Sequence, residues 1–247
     1  KRKPFMKILT WNINHRIREK RIPDPMIQAI ALLNPHVIVL TEYVPGASRD
    51  DFKEKLSSTG MTYMFESANT PRQNHIFIAS KSPLVPGEIS APAIHEALPS
   101  NVLHVRLPEE GFDILGVRIP DYSRLPRIRR ASWDWLLATA SSVKNTPFIL
   151  IGDFNTDPGY PKSRCGDCIG RLINDGWRDA IPSTGCSYWS LRGSGVRIDH
   201  AFITDHFTIL HTRYITEEND FVYAGRGRNA LSDHAALCID ISLDTPV

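Results

Sequence analysis

No apolar run in this chain of 247 residues approaches the ~20 residues of a membrane span, so a helical membrane protein is not expected. Low-complexity linkers and repeats of fixed period are also missing, which argues against a solenoid or a string of small modules. The basic opening, Lys1-Arg2-Lys3-Pro4-Phe5, lacks an apolar stretch behind it and does not read as a secretory signal, so a cytoplasmic location is expected. Met6 reads as a natural start, which makes residues 1–5 a basic N-terminal extension or remnant and residues 6–247 a single domain. Cysteine is scarce: Cys165 and Cys168 form one C-x-x-C pair, and Cys186 and Cys238 stand alone. A zinc site needs about four N or S ligands, so Cys186 or a His would have to complete one. A local disulfide and simple reduced thiols are the other two readings. Strong charge is missing too. The net charge is +2, so attraction to a polyanion must come from local clustering.

Apolar residues make up 42% of the chain, enough for a sizeable core, and they fall into strand-like and helix-like runs. "FMKILTWNIN" alternates and ends in amides. "PDPMIQAIALLN" reads as a helix capped by Asp24, with Pro25 in its first turn, Met26, Ile27, Ile30 and Leu33 on its apolar face, and Pro35 as its stop. "HVIVLTE" reads as a buried strand, and "SRDDFKEKLSSTG" as a helix between a Ser48 cap and Gly60. Strand-like runs follow at 61–66, 75–80, 101–107 and 112–119. "ASWDWLLATASSV" places Trp133, Leu136, Leu137 and Ala140 at core spacing on a helix. "PFILIGD" is a further buried strand, "KSRCGDCIGRLINDGW" becomes helical toward its end, and "RIDHAFIT" and "AALCIDISL" read as the last strands. The stretches 61–119 and 147–242 carry similar amounts of strand, which suggests two packed sheets with helices outside them, a four-layer α/β arrangement.

The apolar strands end in acids and amides: Asn12 and Asn14, then Glu42, then Asp153 and Asn155, then Asp199 and His200, with "LSDH" before the last strand. Each alone can be a turn former, because Asp and Asn side chains bond nearby backbone. Five such ends in one chain point to chemistry. Mg2+ takes oxygen ligands and keeps several waters, so one or two carboxylates suffice, and Glu42 is a candidate anchor. Asp153 and Asn155 lie two apart, which on extended backbone aims both to one side. A carboxylate there can hold an attacking water while the amide contacts a phosphate oxygen. Asp199 and His234 can form a carboxylate–imidazole pair that favours imidazolium.

Taken in order, "TWNIN", "LTE", "GDFN", "RIDHAF" and "LSDHAAL" resemble the endonuclease/exonuclease/phosphatase superfamily, which includes deoxyribonuclease I and abasic-site endonucleases. The resemblance runs from about residue 6 to residue 242. It implies an α/β/β/α sandwich of two mixed sheets and Mg2+-dependent cleavage of a phosphoester, with Mn2+ as an alternative cation. It further implies that Asn12, Asn14, Glu42 and Asp233 sit around the metal. Asp153 would activate water, Asn155 would contact the scissile phosphate, and Asp199 would orient His234. Asn14 stands where many members carry Asp, which removes one charge. "FDILGVRIPDY" places Arg118 where members carry His or Tyr. Guanidinium cannot shuttle a proton, although it can neutralise charge on a phosphoryl group. Leaving-group protonation would then fall to metal-bound water or Tyr122. An ordinary surface role for Arg118 is the plain alternative.

Basic residues gather near these motifs. "RIPDYSRLPRIRR" includes Arg124 and Arg127, and "AGRGRNALSDH" includes Arg226 and Arg228. Arginine suits bidentate phosphate contact, and solvated loop faces are the bland reading. Tyr188 and Trp189 in "CSYWS" can stack on a base or sugar, or belong to the core. A nucleic-acid phosphodiesterase, with DNA ahead of RNA, is the expectation. A phosphatase or phosphodiesterase on a small or lipid phosphate, and a catalytically silent phosphate-binding module, are the alternatives.

Overall fold

The computed structural model describes residues 5–14, 22–43, 46, 49–68, 73–95, 98–121, 126–190 and 193–244. In chain order the elements open with β1 (Phe5–Asn12), α1 (Asp24–Leu33), β2 (Val37–Tyr43), α2 (Arg49–Ser57), β3 (Tyr63–Glu66) and β4 (His75–Ser80). β5 (Val85–Pro86), β6 (Val102–Leu107), β7 (Phe112–Arg118), α3 (Pro126–Val143), β8 (Phe148–Asp153), α4 (Gly166–Asn174) and β9 (Arg178–Asp179) follow. The chain continues through β10 (Tyr188–Trp189), β11 (Gly195–Val196), β12 (Asp199–Ile203) and β13 (Phe207–Ile215). It closes with β14 (Glu217–Glu218), β15 (Phe221–Ala224), β16 (Ala230–Ser232) and β17 (Ala236–Leu243).

Two six-stranded mixed sheets result, ordered β13-β17-β1-β2-β4-β3 and β5-β6-β7-β8-β12-β9. Their central strands, β2, β4, β8 and β12, are buried along their whole length because each sheet is covered on both faces. Ile8, Val39, Ile76 and Ile78 of the first sheet meet Val105, Ile114, Ile149 and Ile203 of the second in the central core. Leu9, Trp11 and Leu40 face the other way, onto Met26, Ile30, Phe52 and Leu56 of α1 and α2. Leu115, Leu150 and Phe202 pack on Trp133, Leu136 and Leu172 of α3 and α4. Burial of each such side chain contributes about 1.5–3 kcal/mol, and the outcome is the four-layer sandwich.

The sheets do not divide at the middle of the chain. β3 and β4 join the sheet that holds the first and last strands, β1 and β17, because β2 and β4 pair antiparallel over Val37–Leu40. β13, a nine-residue strand of mixed burial, lies between the two strands that the sequence suggests as the last. At α1, Asp24 is the first helical residue and not the cap: Pro23 caps without a side-chain bond, and Asp24 pairs with Lys55. Asn34 ends α1 in the left-handed region, with φ 50°. α3 begins at Pro126, five residues before the alanine where the apolar spacing starts. The proposed Ser48 cap lies outside the described residues.

Candidate active site

Register alone lines up three of the polar strand ends. β7 and β8 run parallel with Arg118 opposite Asp153, and β8 and β12 run antiparallel with Asp153 opposite Asp199. Adjacent strands are ~4.8 Å apart, so a guanidinium and two carboxylates form a row along one sheet end. Gly152 makes the approach possible. Its φ is 143°, and a Cβ there would lie 2.1 Å from the Val117 carbonyl oxygen. In the facing sheet, Asn12 pairs with Thr41 beside Glu42. Glu42 itself adopts φ 56°, where the β2–β4 register shifts between Leu40 and Tyr43. A left-handed glutamate is uncommon and is held only where its surroundings over-determine it.

Asp153 is the hub. Its Oδ2 accepts from Asn12 Nδ2 at 2.9 Å and from Asn155 Nδ2 at 3.0 Å, and its Oδ1 accepts from the Asn155 backbone N–H at 2.8 Å. Asn155 therefore reaches Asp153 through a turn, with φ 49°, and not along extended backbone as the two-residue spacing suggests. Its Nδ2 also donates to the Ile119 carbonyl at 2.9 Å. Arg118 donates to Glu42 Oε1 from Nη2 at 2.7 Å and from Nε at 3.2 Å, and its Nε stands 4.0 Å from Asp153 Oδ2. The surface reading of Arg118 falls: its side chain is 14% exposed and lies between two acids. Burial, reinforced by Asp199 and Glu42, pushes the Asp153 carboxyl up to about 7, against the pull of His234 and Arg118.

His234 Nδ1 lies 2.8 Å from Asp199 Oδ2. Burial disfavours its charged form, but Asp199 outweighs burial, with Asp153 and Asp233 adding, and the ring is raised to about 10. The imidazolium is the resting form, with Nδ1–H given to Asp199 and Nε2–H left as a donor. Local backbone is pinned from several sides. Trp11 Nε1 donates to the His234 carbonyl at 2.8 Å, and Ser232 Oγ donates to the Asn12 carbonyl at 2.6 Å while accepting the His234 N–H at 3.1 Å. Ser187 Oγ accepts the backbone N–H groups of Ile198 and Asp199 at 2.9 and 3.1 Å. The sequence suggested no role for these positioners. Ser232 opens the "SDH" motif and Trp11 lies within "TWNIN", whereas nothing local marks Ser187 as a brace.

The rim gathers the proposed substrate contacts. The Tyr188 ring packs on His234 with centroids 4.9 Å apart, and the Trp189 carbonyl accepts Arg226 Nη2 at 2.8 Å. Arg226 and Arg228 are exposed on the turn before β16, and Arg127 is exposed in the first turn of α3. Arg124 and Tyr122 lie outside the described residues. Their neighbour Arg129 turns inward and is 1% exposed. It donates to the carbonyls of Pro120, Asn155 and Arg164 and to Thr156 Oγ1, over 2.6–3.2 Å. Arg130 donates to Cys168 Sγ at 3.2 Å and to the Lys162 carbonyl at 2.7 Å. His200 is also structural: its Nδ1 meets Asp179 at 2.9 Å and its Nε2 meets the Thr156 carbonyl at 2.9 Å. All four cysteines are free thiols, which removes the disulfide reading, and among the described residues no three His, Cys or acidic side chains gather as the zinc reading would need.

Asn14 lies beside Asn12, its N–H donating to Asn12 Oδ1 at 2.8 Å. Among the described residues no three acidic, His or Cys side chains form a closed metal cage. Mg2+ does not require one, since it takes one or two carboxylates and keeps its waters. The buried Asp199 Oδ1 and Asp233 Oδ1 have no hydrogen-bond donor, and the cluster holds four carboxylates against one guanidinium and one imidazolium. Surplus negative charge and an all-oxygen donor set fit a hard divalent cation.

A buried carboxylate flanked by amides, a guanidinium and a braced imidazolium supplies what phosphoester cleavage demands: a base, charge neutralisation and hydrogen-bond donors. Residues 9–234 match the Endonuclease/Exonuclease/phosphatase family, and the chain belongs to it. Members of that family are phosphoester hydrolases, generally dependent on a divalent metal. No curated protein sequence matches the chain. Among solved structures, a 3′ phosphatase, NExo from Neisseria bound to a product DNA hairpin, superposes with TM-score 0.72 at 18% identity, covering 97% of this chain and all of that one. An AP endonuclease from Archaeoglobus fulgidus gives 0.71 at 14% identity, covering 97% and 100%. An endonuclease/exonuclease/phosphatase from Beutenbergia cavernae gives 0.70 at 16%, covering 98% of this chain and 72% of its own. These likenesses establish the deoxyribonuclease I-like sandwich. No helix among the described residues is long and apolar enough to cross a membrane.

Proposed function

We propose that the protein is a Mg2+-dependent phosphodiesterase that hydrolyses a nucleic-acid backbone, DNA in preference to RNA. The observation that carries the proposal is the convergence of Asn12, Glu42, Arg118, Asp153, Asn155, Asp199 and His234 at one end of the two facing sheets, under a rim of Tyr188, Trp189 and Arg226. Two of the structural neighbours are named as a 3′ phosphatase holding a DNA product and an AP endonuclease, which supports DNA as the substrate class.

Each residue has a definable task. Asp153, with a pKa of about 7, takes a proton from water near neutral pH. Asn12 and Asn155 fix its carboxylate, so water is presented in one direction. His234 donates a charged hydrogen bond to the phosphate while Asp199 holds its ring. Arg118 neutralises phosphoryl charge and moves no proton. Bound at Glu42, with Asn12, Asn14 and Asp233 near it, Mg2+ or Mn2+ would supply Lewis-acid charge for the non-bridging and departing oxygens. Exposed Arg127, Arg226 and Arg228 and the Tyr188–Trp189 hairpin would hold the rest of the strand.

The test compares plasmid DNA, RNA and a phosphate monoester as substrates, each with Mg2+ and with chelator. Nicking of plasmid that needs Mg2+ and falls at least about 10²-fold in Asp153→Asn is expected. Turnover confined to the monoester, or equal activity in chelator, would overturn the proposal.

A further inference from the structure

Arg118 and a cation have claims on the same oxygen. Both hydrogen bonds of the guanidinium to Glu42, from Nη2 at 2.7 Å and Nε at 3.2 Å, end on Oε1. Glu42 has little room to turn away: it is 7% exposed and held at φ 56° on a strand whose residues are buried throughout. The backbone beneath Arg118 is equally fixed, because the Ile119 N–H donates to the Asp153 carbonyl at 2.9 Å and the Ile119 carbonyl accepts Asn155 Nδ2. Only the long Arg118 side chain can move. A cation arriving at Oε1 must displace a guanidinium that never deprotonates. A phosphate bound near Asp153 offers that guanidinium two parallel acceptors in place of one carboxylate oxygen.

We propose that Arg118 competes with the divalent cation for Glu42, and that phosphate capture by Arg118 releases this carboxylate to the metal. The inference rests on the assignment of Glu42 as the cation anchor. Metal and phosphate then tighten each other's binding by the same factor, as linkage requires. In the absence of substrate the ion pair neutralises Glu42 and lowers metal affinity. The role is specific to a chain that carries Arg at the end of β7, since a neutral side chain there has no charge to set against the cation.

The experiment measures Mn2+ affinity by electron paramagnetic resonance of the free ion, with and without inorganic phosphate. Wild type is compared with Arg118→Met, Arg118→Gln and Glu42→Gln, each verified as folded by circular dichroism. Mn2+ alone should bind both Arg118 variants about tenfold tighter than wild type, the size of one charge-assisted hydrogen bond. Saturating phosphate should tighten Mn2+ about tenfold in wild type and less than about threefold in the Arg118 variants. Equal Mn2+ affinity in wild type and both Arg118 variants, or equal phosphate effects in all three, overturns the proposal. The Glu42→Gln arm separates the two layers. Undiminished Mn2+ binding in that variant removes the anchor assignment itself, whereas lost binding there with unchanged Arg118 variants removes only the competition. A crystal structure with Mn2+ and phosphate should show Arg118 on phosphate oxygens; Arg118 still bonded to Glu42 Oε1 beside a bound Mn2+ would also refute it.

Discussion

Replacing Arg129 by Met asks how much of the active-site geometry depends on a residue that touches no substrate. Arg129 Nη1 serves the Pro120 carbonyl, and Nη2 is shared among the Asn155 carbonyl, Thr156 Oγ1 and the Arg164 carbonyl. Nη2 carries two hydrogens, so three full bonds are the useful count. Bonds from a charged donor contribute about 1.5–3 kcal/mol each, and relief of a desolvated charge offsets part of their loss. Thr156 keeps Trp133 Nε1 at 3.0 Å as a second partner, but the three carbonyls lose their donor. A net loss of about 3–5 kcal/mol is therefore expected, read as a lower urea midpoint at unchanged slope. Pro120 and Asn155 follow the strand ends that carry Arg118 and Asp153, so kcat should fall about tenfold or more in the folded variant while KM stays within a few-fold. Arg129→Lys, which keeps the charge but not the planar fork, should recover only part of both. A stability loss below about 1 kcal/mol with unaltered turnover would show that the strut positions nothing.

Three further outcomes follow from particular contacts. Burial opposes charge on His200, but Asp179 outweighs it and raises the pKa above 6.5. The folded protein thus keeps a proton that the unfolded chain releases above that pH. The contribution is complete below 6.5 and is lost as pH rises through the folded value, at up to about 1.4 kcal/mol per pH unit. Urea unfolding from pH 6 to 8 should show a flatter decline in His200→Gln, and parallel curves would refute the assignment. Gly152→Ala should cost several kcal/mol or prevent folding, because its Cβ would meet the Val117 carbonyl at 2.1 Å; a variant with an unchanged melting temperature would contradict the close β7–β8 approach. Arg226→Gln with Arg228→Gln should lower the slope of log affinity for duplex DNA against log salt by up to ~1.8, and an unchanged slope would remove both from the substrate path.

The sequence determined the layers and pointed to most of the residues that gather at the candidate site. Runs buried on both faces, such as "HVIVLTE" and "PFILIGD", could be stable only inside a covered sheet, and their abrupt polar ends had no reason to recur unless they met. Asn12, Glu42, Asp153, Asn155, Asp199 and His234 were legible for that reason. Tertiary structure decided what register and burial decide. Arg118, Arg129 and Arg130 look alike in "RIPDYSRLPRIRR", yet one enters the acid cluster, one becomes an internal strut and one packs against Cys168. Asp199 and His200 are neighbours in sequence, but β12 sends them to opposite faces, so the first braces His234 and the second is locked to Asp179. A one-dimensional pattern records residue type and period, and these roles depend on which strand lies alongside, a long-range pairing settled by the packing of the whole core.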